Sequence, residues 1–244
     1  MKLLTYTSVT GNYEELGEQH RVEGIPDRYV CFTDRRRREV EPWMQFIPNQ
    51  ISELDSRRAS RYCKMLGPFV LDPDFSIALY IDNSVELRSD PRELATHLLG
   101  SKDIGFVPHP RRLTVESEFF ACLGQRMDDR RTIKRQLAAY RRDDAGCLKS
   151  RPLCGGLFAW RLNQETLRFM ELWMSQVSLF SSRDQLSLVY ALRRTGLTPN
   201  LLDIDIHKSP WHVWPVPRGR QPRKTRRDPI AAYYRVRERR VRPF

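Results

Sequence analysis

The sequence predicts an α/β domain with a mixed, mainly parallel sheet flanked by helices. Three observations carry that expectation. Short strand-like runs alternate with amphipathic helical ones, the pattern that builds a parallel sheet with helices on its faces. The run SIALYI at 76–81 is apolar nearly throughout, as in a central strand covered on both sides. A length of 244 residues suits one such domain with a tail, and 40% apolar residues suffice for a core without staples.

Taken in order, residues 3–9 alternate apolar and hydroxyl side chains and stop at Thr10-Gly11-Asn12, a strand and its turn. Residues 28–33 are a second strand, closed by Asp34 and the arginines at 35–38. Good helix formers fill 51–66, with Ser56 as the expected N-cap. Arg57, Arg61 and Lys64, spaced by four and three, share one face of that helix. After the central strand the chain turns at Asp82-Asn83-Ser84 and resumes alternation at 85–87. A helix is expected over 91–99, a strand over 104–107 ending in Pro108-His109-Pro110-Arg111, and helices over 114–123 and 130–142. A glycine-led strand follows at 154–160, then helices over 164–180 and 183–195, the latter started by Ser181 or Ser182. Residues 201–206 read as a last strand before His207.

Composition narrows the function classes. No run approaches the roughly 20 apolar residues of a membrane helix, and the apolar start of MKLLTYTSVTGNYE is too short for a signal-peptide core. The expectation is therefore a cytoplasmic protein. Cys31, Cys63, Cys122, Cys147 and Cys154 are scattered, with no C-x-x-C pair, and are expected as reduced, structural core residues. The net charge of +12 suggests nucleic acid at first, but eleven Arg/Lys against two acids at 218–244 supply +9 of it. Nucleic acid is thus not the expected partner. The Pro/Arg-rich tail reads either as a solvated appendage or as a contact with an anionic membrane or polysaccharide surface. There is no dinucleotide-binding glycine fingerprint, phosphate-binding loop or H-E-x-x-H.

Ligands on such sheets bind outside the carboxyl ends of the strands. Polar clusters at 10–13, 82–84 and 109–111 stand at three such ends. An aspartate with two short oxygen-bearing neighbours suits a hard divalent cation, and equally suits an ordinary strand-to-turn junction. Asp184, in the first turn of a helix, has a dipole reason to be there as well as a chemical one.

Particular stretches add a resemblance. They are YTSVTGNYEEL (6–16), YVCFTD (29–34), Trp43, RRASRYCKML (57–66), SIALYIDNSVEL (76–87), GFVPHPRRLTVESEFFAC (105–122), GGLFAWR (155–161) and SSRDQLSLVYALRRTGL (181–197). Together, over roughly 2–212, they resemble the TOD/MUCI-type glycosyltransferase-like domain, in which an apolar strand leads into a relaxed Asp-x-Asp metal motif. HPRR and SRDQLS carry most weight, being polar and not demanded by a fold pattern.

The resemblance implies a GT-A-like, Rossmann-like domain over 1–214 with a basic tail at 215–244. It implies transfer of a sugar from a nucleoside diphosphate sugar, a uridine one first, to a glycan or other acceptor hydroxyl. The alternative it leaves is a degenerate nucleotide-sugar or glycan-binding module anchored by its tail. Tyr6, Thr7, Thr10, Gly11 and Tyr13 would hold the nucleotide, a tyrosine ring stacking the base. Arg61, Lys64 and Gln185 would face the diphosphate or donor sugar. Asp82 would hold a Mn2+ or Mg2+ ion, with Ser84 in place of the second acid and His207 as a late ligand, ahead of His212. His109 and Arg111 would form a sugar or acceptor loop. Asp184 would hold sugar hydroxyls or stabilise the cationic sugar, and either it or Glu116 would be the base of an inverting reaction. Retention is slightly favoured, since no carboxylate stands out as a dedicated base.

Overall fold

A computed structural model describes residues 2–19, 28–71 and 75–216, so nearly all of the expected tail lies outside the described residues. Strands β1 (Leu3–Val9), β2 (Arg28–Thr33) and β3 (Met44–Phe46) open the chain, followed by helix α1 (Ser56–Leu66). Strands β4 (Ile77–Ile81) and β5 (Glu86–Leu87), helix α2 (Pro91–Leu99) and strand β6 (Ile104–Pro108) come next. Then follow α3 (Val115–Gly124), α4 (Arg130–Asp143), α5 (Ala145–Lys149), β7 (Leu153–Arg161), α6 (Gln164–Leu179), α7 (Gln185–Thr195), β8 (Asn200–Leu201) and β9 (His212–Val213).

The main sheet has the order β3-β2-β1-β4-β7-β6-β8, and β5 pairs with β9 apart from it. Strand β7 runs antiparallel to both β4 and β6, and the other pairs in the sheet are parallel. Consequently β1, β4 and β6 all end at one edge, and β7 begins there. The α/β, GT-A-like expectation is met, with one reversed central strand.

Every residue of β1 and β4 is buried, as a two-sided core requires. Their alternation splits the core. Leu4, Tyr6, Ala78 and Tyr80 join Phe158, Trp160 and Trp173 on one side, while Leu3, Ile77, Leu79 and Ile81 join Leu94 and Leu98 on the other. On that second side α2 lies hard against β6: a Cβ on Gly105 would stand 1.7 Å from the Leu98 carbonyl oxygen. All five cysteines are buried and free, as expected.

Several boundaries differ from expectation. Asp55, not Ser56, caps α1, accepting from the amides of Arg57 and Arg58 at 3.0 and 3.1 Å. Helix α7 starts at Gln185 rather than 183, because Ser181 and Ser182 direct their hydroxyls to Asp128 at 2.8 Å. Residues 201–206 keep a strand's alternation in sequence, yet only Asn200–Leu201 pairs, and beyond it the Ile204 amide turns back to the Leu202 carbonyl. The alternation at 85–87 does form the short strand β5, whereas β3, α5 and β9 carried no periodicity long enough to read.

Candidate active site

At the edge where β1 and β4 end lies a cavity of about 510 Å³. The loop after β1 contributes Thr10 and Tyr13, one face of α1 contributes Arg57, Arg61 and Lys64, and β4 contributes Tyr80 and Asp82. The amino end of the reversed strand β7 brings Gly155 and Gly156, and the turn into α7 brings Arg183, Asp184 and Gln185.

Asp184 holds the centre. Its carboxylate accepts from Lys64 Nζ on Oδ2, and Arg61 Nε stands 3.2 Å from Oδ1 without the alignment of a hydrogen bond. Side-chain exposure is 5% for Asp184, 3% for Lys64 and 21% for Arg61, so of the three the arginine is the most open to the cavity. Burial alone would raise the Asp184 carboxyl, but Arg61 and Lys64 hold it well below the usual carboxylate range. Burial draws the Lys64 ammonium below the ordinary lysine value, against the pull of Asp184. The ring of Tyr80, 4.8 Å from Nζ, offers a further stabilising face.

The chain fixes this cluster locally. Helical spacing puts Arg61 and Lys64 on one face of α1. Asp184 occupies the N-cap position of α7 in helical conformation, and its side chain makes no capping bond, being turned to the two cations instead. Trp173 Nε1 donates to its carbonyl at 2.9 Å. The preceding turn is pinned by Asp128, which accepts from the Ser182 amide and from the Ser181 and Ser182 hydroxyls, all at 2.8 Å.

Opposite stands Asp82. Its Oδ1 accepts from the Tyr80 hydroxyl at 2.9 Å, and its Oδ2 lies where a side chain at residue 156 would collide, a Cβ on Gly156 meeting it at 2.7 Å. Gly155 likewise leaves room for Lys64 Nζ, 3.0 Å from its would-be Cβ. These glycines and Tyr80 escaped the sequence reading, although a Gly-Gly pair opening a buried strand is a signal of close approach.

The expected nucleotide residues divide. Thr10 and Tyr13 line the cavity. Gly11, at φ +64, belongs to the same turn, but its amide is already spent on Asp34 at 2.7 Å. Tyr6 cannot stack a base: it is wholly buried, donates to the Lys64 carbonyl at 2.6 Å and accepts from Trp160 Nε1. The strand alternation that sends Ser8 to the cavity sends Thr7 to the opposite core, fully buried.

Other expected residues lie elsewhere. Glu116 is bound to Arg141 at 2.8 Å and does not line the cavity. Nor do His109 and Arg111. His109 Nδ1 accepts from the amides of Arg111 and Arg112, both at 3.1 Å, which makes it the internal brace of its loop. Burial and the neighbouring arginines push its pKa down to about 4. Glu118 Oε2, 4.0 Å from Nε2, pulls the other way, but that carboxylate already holds Arg112 at 3.2 Å. Gln185 does line the cavity, donating to the Leu153 carbonyl at 3.4 Å.

The expected metal ligands do not converge. Ser84 is 1% exposed and accepts from Trp214 Nε1 at 3.0 Å. His207 stacks on Trp214, with Nδ1 3.2 Å from its carbonyl oxygen. Both nitrogens of buried His212 are engaged, by Ser209 and the Ile206 carbonyl. Trp214 thus closes a wall over Ser84, and of the three residues only Asp82 reaches the cavity. No group of three His, Cys, Asp or Glu able to hold a metal ion occurs among the described residues. A Mn2+ or Mg2+ site built on Asp82, Ser84 and His207 does not fit this arrangement.

Among the described residues no helix is long and apolar enough to cross a membrane. Compared with known families, residues 32–205 match the one described as TOD1/MUCI70, glycosyltransferase-like domain. No curated protein matches the chain.

Proposed function

The chain belongs to the TOD1/MUCI70 glycosyltransferase-like domain family, and from that premise we propose that it transfers a sugar from a nucleoside diphosphate sugar to an acceptor hydroxyl. The observation that carries the proposal is the Arg61–Lys64–Asp184 cluster in a cavity at the carboxyl edge of β1 and β4. Of the seven charged side chains lining that cavity, four are basic, which favours an anionic ligand. In this reading Thr10 and Tyr13 hold the nucleoside, Arg57, Arg61 and Arg183 the phosphates, and Asp82 and Gln185 the sugar hydroxyls, all of them residues that line the cavity.

In the reaction the bond from the anomeric carbon to the phosphate oxygen breaks while a bond to the acceptor oxygen forms. Negative charge grows on the departing diphosphate, and cations fixed in advance favour that state. We propose retention of configuration. Asp184 is held as an ion pair and Glu116 lies away from the cavity, so neither is poised as a base. The acceptor's proton then leaves on the departing diphosphate.

A thermal-shift panel of nucleoside diphosphate sugars tests the proposal. One or more, a uridine sugar first, should raise the melting temperature, by mass action on the folded state. A degenerate binding module would show the same shift with no transfer, and no shift across the panel would refute both readings.

A further inference from the structure

We infer that the cavity receives the diphosphate of its donor on fixed protein cations centred on Arg61, without a divalent metal ion. The inference rests on the nucleotide reading above and adds how the charge of the ligand is met.

Three observations lead to it. Ser84 and His207 are committed to Trp214, so Asp82 brings one free carboxylate oxygen, and a hard cation there would rest almost wholly on water and the ligand's own phosphates. The second acid of the cavity centre, Asp184, is already neutralised on both oxygens by Lys64 and Arg61. A divalent ion there would displace one of those cations or sit beside both.

The cations, by contrast, are in place. Four cations against the three carboxylates of Glu14, Asp82 and Asp184 leave the cavity lining positive, and Arg61 is the most exposed member of the central cluster. Lys64, almost fully buried, is a positioning residue: by sharing Asp184 with Arg61 it lessens the hold of that carboxylate on the guanidinium. A guanidinium presents a planar fork of donors matched to phosphate oxygens. Arg183 lines the same cavity with a buried Nε that lacks a hydrogen-bond partner, and Arg57 stands at the rim with its side chain 58% exposed.

Calorimetry with inorganic pyrophosphate and with uridine diphosphate, each in EDTA and in excess manganese, tests the inference. Both ligands should bind in EDTA, uridine diphosphate more tightly, and manganese should change either affinity by less than about threefold. Arg61→Gln should weaken both by about tenfold or more in EDTA. Arg57→Gln, at an exposed side chain, should weaken both about threefold, and it keeps the test decisive if the buried variant fails to fold. Tightening by manganese of tenfold or more would overturn the inference and leave the nucleotide reading standing. Pyrophosphate binding with no gain from the uridine would support the cation site and overturn the nucleotide reading. If neither ligand binds in EDTA, the inference fails and the cluster is a structural ion pair only.

Discussion

Asp184 stands where a helix would ordinarily be capped, yet its carboxylate leaves the backbone amides and lies between Lys64 and Arg61. That choice sets what a mutation does. Asp184→Asn keeps the shape but leaves an almost fully buried ammonium without its counter-charge, and such a loss costs about 3–5 kcal/mol. Chemical denaturation should show it, and adding Lys64→Met should recover part of the loss, since the orphaned charge goes too. His109 makes a second residue-scale prediction. Its folded pKa of about 4 lies below the ordinary histidine value, so the unfolded chain binds the extra proton between pH 6.5 and 4. Stability is then fully present above about pH 6.5 and falls as the pH drops toward 4. The unfolding midpoint should fall accordingly, and His109→Gln should flatten that slope. Asp184, Arg61 and Lys64 were legible as candidates in the sequence, but their mutual contact was not, because 120 residues separate the acid from the lysine. Tyr6 misled because a hydroxyl-rich strand does not announce which of its side chains points inward.

At the scale of elements, the long ones were readable and the short ones were not. Strands β1 and β2 and helix α2 fall where periodicity and caps put them. The misread stretch at 201–206 shows the limit: alternating Leu, Asp and Ile side chains serve a loop that packs on the core as well as they serve a strand. Gly105 gives this scale its test. Strand β6 meets α2 so closely that any Cβ there would overlap the Leu98 carbonyl, and backbone cannot swing aside as a side chain can. Gly105→Ala should therefore force α2 off the sheet and destabilise the fold by about 3 kcal/mol, overpacking at its upper range. A denaturation midpoint unchanged by the alanine would show that the α2–β6 contact is looser than described.

For the whole molecule, the decisive feature is the reversal of β7. The sequence implied a mixed, mainly parallel sheet, but nothing local in it marks which central strand is antiparallel. The reversal puts the amino end of β7, with Gly155 and Gly156, at the edge where β1 and β4 end, between Asp82 on one side and Lys64 with Asp184 on the other. Segments far apart in the chain thereby share one cavity. The central claim is that a nucleoside diphosphate sugar occupies that cavity. Hydrogen–deuterium exchange with and without a uridine diphosphate sugar tests it most directly. The account predicts slower exchange in the loop at 10–14, in α1, at 154–156 and at 182–185, with the loop at 109–112 unchanged. Protection confined to 109–112, or none at saturating ligand, would contradict it.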